Sequence, residues 1–253
     1  MAMEWNWAGP VLFGVGVVAG FVDAIAGGGG LLTVPALLSS GLPPQVALGT
    51  NKLQSTCGTA LATWNYARAG LVPWRRWMPG VLMTFAAALG GAATVSAIDP
   101  GWLRRVVPVA LGAVAVYTAL KPDLGTAERP ARMKAGAFGL VFGVLLGFYD
   151  GFLGPGTGSF WMMACVLVHG LDLRGATGVT KAMNLTSNLA ALGWFLASGS
   201  VHYGIGLVMA CGQLVGAWAG SRVAIRGGAR VIRPVFLAVV LALTAKLGWE
   251  ALR

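Results

Sequence analysis

Apolar residues in this chain gather into long runs separated by short polar or glycine-rich breaks. A helix needs about 20 apolar residues to cross a ~30 Å hydrocarbon core. By that ruler the sequence predicts ten apolar segments, at roughly 9–26, 30–40, 46–68, 77–97 and 102–120, then 135–153, 157–169, 174–197, 203–223 and 231–250. Two are too short to cross comfortably, Gly30 to Ser40 and Thr157 to His169. At 1.5 Å per residue they reach only about 17 to 20 Å, the length of half-helices or re-entrant segments.

These short segments fall second in each half and expose an internal repeat. Gly20-Phe21-Val22-Asp23 aligns with Gly147-Phe148-Tyr149-Asp150, and Gly27 and Gly29 are followed in the second half by Gly154 and Gly156. Further on, Gly49-Thr50-Asn51-Lys52 meets Gly178-Val179-Thr180-Lys181. Both halves run Asp, glycine-rich break, short apolar segment, polar Lys tetrad, long helix. The expected organisation is a first membrane repeat at 1–122, a cytoplasmic linker at 123–134 and a second membrane repeat at 135–253.

Loop charge orients the repeats. After the third segment the first half carries Arg68, Arg75 and Arg76, whereas Ser198 to Tyr203 in the second half has no Lys or Arg. After the fourth segment the bias reverses: Arg104 and Arg105 are offset by Asp99, against Arg222, Arg226, Arg230 and Arg233. Equivalent loops prefer opposite sides, which requires an odd number of crossings per half and marks an inverted-topology repeat. The expected fold is an all-α polytopic membrane protein. It has two inverted-topology repeats of about five helical segments each, with a broken or re-entrant short helix in each and about 8–10 membrane segments in all. The same bias puts the linker in the cytoplasm and both termini outside.

Composition agrees with the pattern. Apolar residues make up 57% of the 253, charged residues 10%, and mean hydropathy is +0.74; a soluble chain keeps its surface wet with roughly 25% charged residues. A soluble domain is excluded. The net charge of +10 raises nucleic-acid binding, but its distribution defeats that reading. Lys52 and Lys181 lie deep in apolar stretches with Asp23 and Asp150 as matching acids, so the excess sits in loops and segment ends. Cys57, Cys165 and Cys211 are isolated thiols without metal-ligand spacing and read as small core residues. The N-terminus carries Glu4 and no basic stretch, so it reads as the approach to a first span, not as a cleaved signal peptide. His169 and His202 sit at segment ends, and Trp5, Trp7, Trp74, Trp77, Trp102 and Trp249 flank spans as an aromatic belt would.

Candidate chemistry lies in two constellations. In the first, Gly27, Gly28, Gly29 and Gly30 follow Asp23, and Gly154-Pro155-Gly156-Thr157-Gly158 follow Asp150. Glycine costs roughly 1 kcal/mol in a helix interior, so the chain should unwind there. Unwound backbone at membrane depth is tolerated only inside protein or along a watery cavity. A helix starting after the break aims free N–H groups at that cavity, and such an end favours anions. Close helix packing by small residues is the plainer explanation, but the break recurs at equivalent places in both halves. Neither break has the Gly-Lys-Ser/Thr ending or the strand of a phosphate-binding loop.

The second constellation is Thr50-Asn51-Lys52-Leu53-Gln54-Ser55-Thr56 and its counterpart from Thr180-Lys181 through Asn184 to Asn188. Helical spacing puts Asn51 and Ser55 on one face, and Lys181, Asn184 and Asn188 on the other half's equivalent. A mid-bilayer Lys costs about 2.5–3.5 kcal/mol, so it should face the interior with a partner. Each Lys could also snorkel, or pair with Asp23 or Asp150 as structural glue. With Gln54 and Thr180 these groups make a donor-rich centre complementary to oxyanions. Asp23 and Asp150 are each the only acid in their spans; they are either proton carriers or fixed counter-ions.

The strings GFVDAIAGGGGLLTVPALLSSGLPPQVALGTNKLQS and GFYDGFLGPGTGSFWMMACVLVHGLDLRGATGVTKAMNLTSN resemble the sulfite exporter TauE/SafE family, also called the toluene sulfonate uptake permeases. The resemblance covers nearly the whole chain. It implies a bacterial inner-membrane transporter with two repeats that moves sulfite, sulfoacetate or other sulfonates. It also implies a central site at Gly27 to Gly30 with Asn51 and Lys52, and at Gly154 to Gly158 with Thr180 and Lys181. The second half departs from the pattern with Thr180 in place of Asn and Pro155 in place of Gly, so the implied site is asymmetric.

The leading expectation is therefore a secondary transporter of small sulfur-containing or organic anions, working by alternating access. Its partners would be a small anionic substrate and the lipid bilayer, with a proton or other coupling ion left open, and it needs no cofactor, metal or nucleic acid. An anion channel shares the site chemistry. An intramembrane enzyme would need a nucleophile–base pair or metal ligands, and no HExxH, GxSxG or paired-carboxylate motif is present.

Overall fold

The computed structural model describes residues 5–99, 130–232 and 234–235. They form eight α-helices with both ends described, further helical backbone at 229–232 and 234–235 and, among the described residues, no strand. The helices are α1 (Trp5–Ala26), α2 (Gly30–Ser39), α3 (Pro44–Arg68), α4 (Trp74–Ser96), α5 (Ala135–Phe152), α6 (Thr157–Leu167), α7 (Leu173–Ala197) and α8 (Tyr203–Gly227). The expected segment 102–120, most of 231–250 and the linker up to residue 129 lie outside the described residues.

Local chemistry explains the helix ends. Pro44 opens α3 at its first position, where a missing N–H costs nothing. Asp172 caps α7 by accepting the Gly175 N–H at 2.9 Å. Two ends differ from expectation. α4 begins at Trp74, not Trp77, because Pro73 stands just ahead of the helix and the first-turn residues Arg75 and Arg76 need no intrahelical acceptor. α8 runs on to Gly227, since arginines suit a helix C-terminus and Arg222 lies over the Trp218 ring, 4.0 Å from its centroid.

α3 and α7 pack on each other at the centre. α8 rests on both α3 and α1, and α4 on both α7 and α5. The outer pairs are held by glycine. Gly212, Gly216 and Gly220 of α8 press on the backbone of Phe13, Val17 and Phe21, while Gly139, Gly143, Gly147 and Gly151 of α5 press on α4 at Gly80, Thr84 and Ala88. Lipid tails are as apolar as leucine, so helices in a bilayer gain from close approach and dispersion, which small residues permit.

The polarity is inside-out relative to a water-soluble protein. Val11, Val18, Leu82, Leu140, Leu145 and Leu207 are exposed, while Lys52, Lys181, Asp150, Asn51 and Gln54 are buried. Among the described residues, α1 from Gly9, α4, α5 and α8 are long and apolar enough to cross a membrane. α3 and α7 have 25 residues each, about 37 Å of helix, and carry the polar tetrads inside. α2 and α6, at 10 and 11 residues, are the two short elements expected. The chain is a multi-pass helical membrane protein.

Candidate functional site

The two helix breaks meet at the centre of the bundle. After α1, Gly27 and Gly28 take φ of 74° and 98°; before α6, Gly154 and Gly156 take 89° and 82° around Pro155. Only glycine adopts this left-handed backbone at little cost. The breaks also touch: a Cβ on Gly158 would lie 2.8 Å from Gly27 Cα, and one on Gly30 would lie 3.2 Å from Pro155 Cα. Glycine therefore both unwinds the chain here and lets the two unwound segments approach.

Four charges, three of them buried and Asp23 part-exposed, surround this junction as two ion pairs, each joining one half to the other. Lys52 Nζ of α3 donates to Asp150 Oδ1 of α5 at 2.6 Å and to Asn188 Oδ1 of α7 at 3.0 Å. Asp150 Oδ2 accepts a further hydrogen bond from Ser187 Oγ. Lys181 Nζ of α7 donates to Asp23 Oδ2 of α1 at 3.0 Å, and Asp23 Oδ1 accepts the Gly29 N–H at 3.3 Å. The lysine side chains are 2% and 0% exposed. Removing charges from water is expensive, and a lone buried charge is worse than a pair, so the lysines and aspartates require one another.

A cavity of about 30 Å³ lies between the breaks, room for one or two waters. Among the expected site residues, Gly28, Gly30, Asn51, Lys52 and Ser55 line it from the first half. Gly154, Gly156, Thr157, Gly158, Asn184 and Asn188 line it from the second, with Asp23 and Asp150 at its walls. Gly27, Gly29, Gln54, Thr180 and Lys181 do not. Gly27 is packed on Gly158, and the Gly29 N–H is spent on Asp23. Gln54 Nε2 turns to Asn51 Oδ1 at 2.8 Å, and Thr180 is buried off the lining face. Lys181 shares a face with Asn184 and Asn188, as its spacing predicts, but Asp23 takes its ammonium group.

The cavity's free polar groups are mostly donors. Asn51 Oδ1 accepts from both Thr33 Oγ1, at 2.5 Å, and Gln54 Nε2. That fixes the amide and leaves its Nδ2 with no acceptor among the described residues. The N–H groups of Gly28 and Gly156 likewise find none there. Asn184 Oδ1 is buried without a donor. No group of three or more potential metal ligands occurs among the described residues.

Four hydroxyl residues at this centre were not expected from the sequence: Thr33 orients Asn51, Ser187 bonds Asp150, Ser159 Oγ donates to Ala26 O at 3.3 Å, and Tyr66 Oη donates to Ala24 O at 2.8 Å. Ser187 had a legible signal, one position before Asn188 and three after Asn184.

Interrupted helices with neutralised charges around a small polar cavity, inside a shell of lipid-facing helices, define a membrane transport protein. Residues 12–247 match the family model described as Sulfite exporter TauE/SafE. The chain is 43% identical over 236 residues to "Probable membrane transporter protein ORF9" of Sinorhizobium sp, covering 93% of this chain and 90% of that one. It is 41% identical over 241 residues to "Probable membrane transporter protein YfcA" of Escherichia coli strain K12, covering 95% and 90%. A "Probable membrane transporter protein" of Haemophilus influenzae is 40% identical over 240 residues, covering 95% and 94%. No solved structure matches. This chain belongs to the sulfite exporter TauE/SafE family of membrane transporters.

Proposed function

We propose that the protein is a secondary transporter of small sulfur-containing or organic anions such as sulfite, sulfoacetate and other sulfonates, in the bacterial inner membrane. The anion is held near mid-bilayer at the two helix breaks, and access alternates between the two sides. One observation carries this reading: the Lys52 ammonium, the Asn51 amide and the Gly28 and Gly156 N–H groups converge on a single buried cavity. Sulfonate and sulfite present the complementary acceptors, and charge-assisted hydrogen bonds to them are the strong kind. The family's description as sulfite exporters supports the choice of cargo.

The repeats at 1–122 and 135–253, joined by a cytoplasmic linker at 123–134, supply the moving parts. Support for an inverted relation comes from the reversed loop charges, and packing supports a two-fold exchange of the halves. α1 lies on α8 as α5 lies on α4, and the Asp of each half pairs with the Lys of the other. A cavity of about 30 Å³ favours a carrier that opens to each side in turn over a channel. Purified protein in liposomes, offered sulfite, sulfoacetate, methanesulfonate and simple carboxylates, tests the reading. The expected result is saturable flux of at least one sulfur oxyanion, accelerated by the same anion on the far side. Flux linear in concentration would instead mean a channel, and chemical change in the anion an enzyme. No flux of any member would refute the proposal.

A further inference from the structure

The two lysines at the centre are already neutralised. Asp23, Lys52, Asp150 and Lys181 sum to zero charge, and among the described residues no further charged side chain lines the cavity. An arriving anion would leave this buried cluster at −1, and an uncompensated charge in low dielectric carries a large penalty. The charge has to be balanced by something that travels with the anion.

The asymmetry of the cluster says where. Lys52 lines the cavity, whereas Lys181 does not, because Asp23 stands between it and the cavity. The Asp23–Lys181 pair also holds the Gly29 N–H and so serves as a fixed post for the first break. Lys52 is the ammonium group an anion can reach, and its present acceptors are Asp150 and Asn188. A Cβ on Gly154 would lie 2.9 Å from Lys52 Nζ and 3.0 Å from Asp150 Oδ1, so unwound backbone abuts this pair directly. Taking Lys52 away from Asp150 would strand a carboxylate that keeps only Ser187 Oγ.

Resting on the anion-transport reading, we infer that the protein is a proton–anion symporter in which Asp150 carries the proton and Lys52 exchanges Asp150 for the anion. In the empty state Lys52 Nζ–H bonds the Asp150 carboxylate. As an anion oxygen replaces that acceptor, one proton from the aqueous side adds to Asp150, giving a neutral carboxylic acid. On release the proton leaves with the anion and the ion pair re-forms. For a monovalent anion the complex stays neutral throughout the cycle. Around Asp150, α3 supplies Lys52, α7 supplies Lys181 and, in its first turn, Arg174, α4 has only Arg75 and Arg76 in its first turn, and α6 has no charged residue. Asp23 of α1, the other carboxylate at the cavity, is held by Lys181 and the Gly29 N–H, and Tyr149 beside Asp150 donates to the Pro155 carbonyl.

The test uses full-length protein in liposomes with a trapped pH dye, given a gradient of methanesulfonate or of whichever monoanion crosses in the preceding assay, with current recorded in parallel. Wild type should acidify the lumen by about one proton per anion, with no net current, and anion affinity should rise about tenfold per unit fall in pH, as one-proton linkage requires. Anion flux that carries current without acidification overturns the inference while leaving anion transport standing; absence of flux for every anion overturns both. Asp150→Asn should cut the proton count to near zero and make anion binding independent of pH; a count that stays near one overturns the assignment to Asp150. Should Asp150→Asn fail to fold, Asp150→Glu should keep a count near one while moving the pH midpoint of anion binding, and an unmoved midpoint overturns the assignment.

Discussion

Lys52 and Lys181 hold equivalent places in the two repeats yet have unlike surroundings. Lys52 sees the cavity and shares its protons between Asp150 and Asn188; Lys181 is sealed behind Asp23. Truncating a buried, hydrogen-bonded cation costs roughly 2–5 kcal/mol, much of it from the charge left behind. The two alanine variants should therefore fail differently. Lys52→Ala removes the contact to the anion, and isothermal titration with the transported anion should show binding weakened by at least a hundredfold. Lys181→Ala strands Asp23 and should lower the thermal midpoint while leaving much of the binding in protein that still folds. Equal loss of binding in both variants would mean that the two halves share the anion evenly, against the unequal access of the two lysines to the cavity.

At the scale of elements, the meeting of the two breaks is a steric prediction. An alanine at 158 would put its Cβ 2.8 Å from both Gly27 Cα and Asn184 Nδ2. Such overpacking typically costs 1–3 kcal/mol, so Gly158→Ala should lower the melting temperature and abolish transport together. Gly41, in the α2–α3 turn, has φ of 85° but open space around it. Gly41→Ala should cost about 1 kcal/mol of backbone strain and spare transport. Liposome flux on the two variants checks the contrast.

A second inter-element contact is pH-sensitive. His169, between α6 and α7, places Nε2 2.7 Å from Arg76 Nη2 of α4 and Nδ1 3.1 Å from the Met133 carbonyl ahead of α5. Arginine can only donate, so the contact needs a neutral imidazole that accepts at Nε2 and donates from Nδ1. Burial first, then the Arg76 charge, push the His169 pKa below its ordinary value of 6.5, while the Met133 carbonyl pulls the other way. With the folded value below the unfolded one, the stabilisation is complete above about pH 6.5 and is lost as pH falls through that value toward the folded one. Thermal melts in detergent should have a flat midpoint above about pH 7 and a falling one below about pH 6. His169→Gln, which keeps an acceptor and a donor without titrating, should flatten the fall. Parallel curves would refute this.

The helix breaks were legible because they are written in residues that a helix interior disfavours, as at Gly27–Gly30 and Gly154-Pro155-Gly156. The charge partners were legible only as a set of four. Lone charges in apolar runs must pair, but spacing cannot distinguish pairing within a half from the observed pairing across 98 and 158 positions. Hydroxyl residues were the least legible, because Ser and Thr in helices can satisfy themselves on the carbonyl four residues back. Thr56, Thr59 and Thr186 do so, and nothing in their spacing separates them from Thr33, which reaches the site; Ser187 is set apart only by standing three positions after Asn184.

For the whole molecule, the crossed ion pairs tie any motion of one half to the other. Asp23 sits on the helix that precedes the first break and Lys181 on a helix of the second half; Asp150 and Lys52 repeat the arrangement with the halves exchanged. If one half rocks against the other, both pairs are strained at once, so an occupant that loosens one pair lowers the barrier for the molecule as a unit. That mechanism needs the halves to be inverted, so that the movement opening the site to one side closes it to the other. Ala69, after α3, and Ser198, after α7, are exposed and occupy equivalent loops. In a background with Cys57 and Cys211 replaced by alanine, Ala69→Cys should react with a membrane-impermeant maleimide only from the cytoplasmic face, and Ser198→Cys only from the outer face. Labelling of both from one side would make the halves parallel. Rocking about the breaks would then open both ends of the site together, giving a pore instead of a carrier.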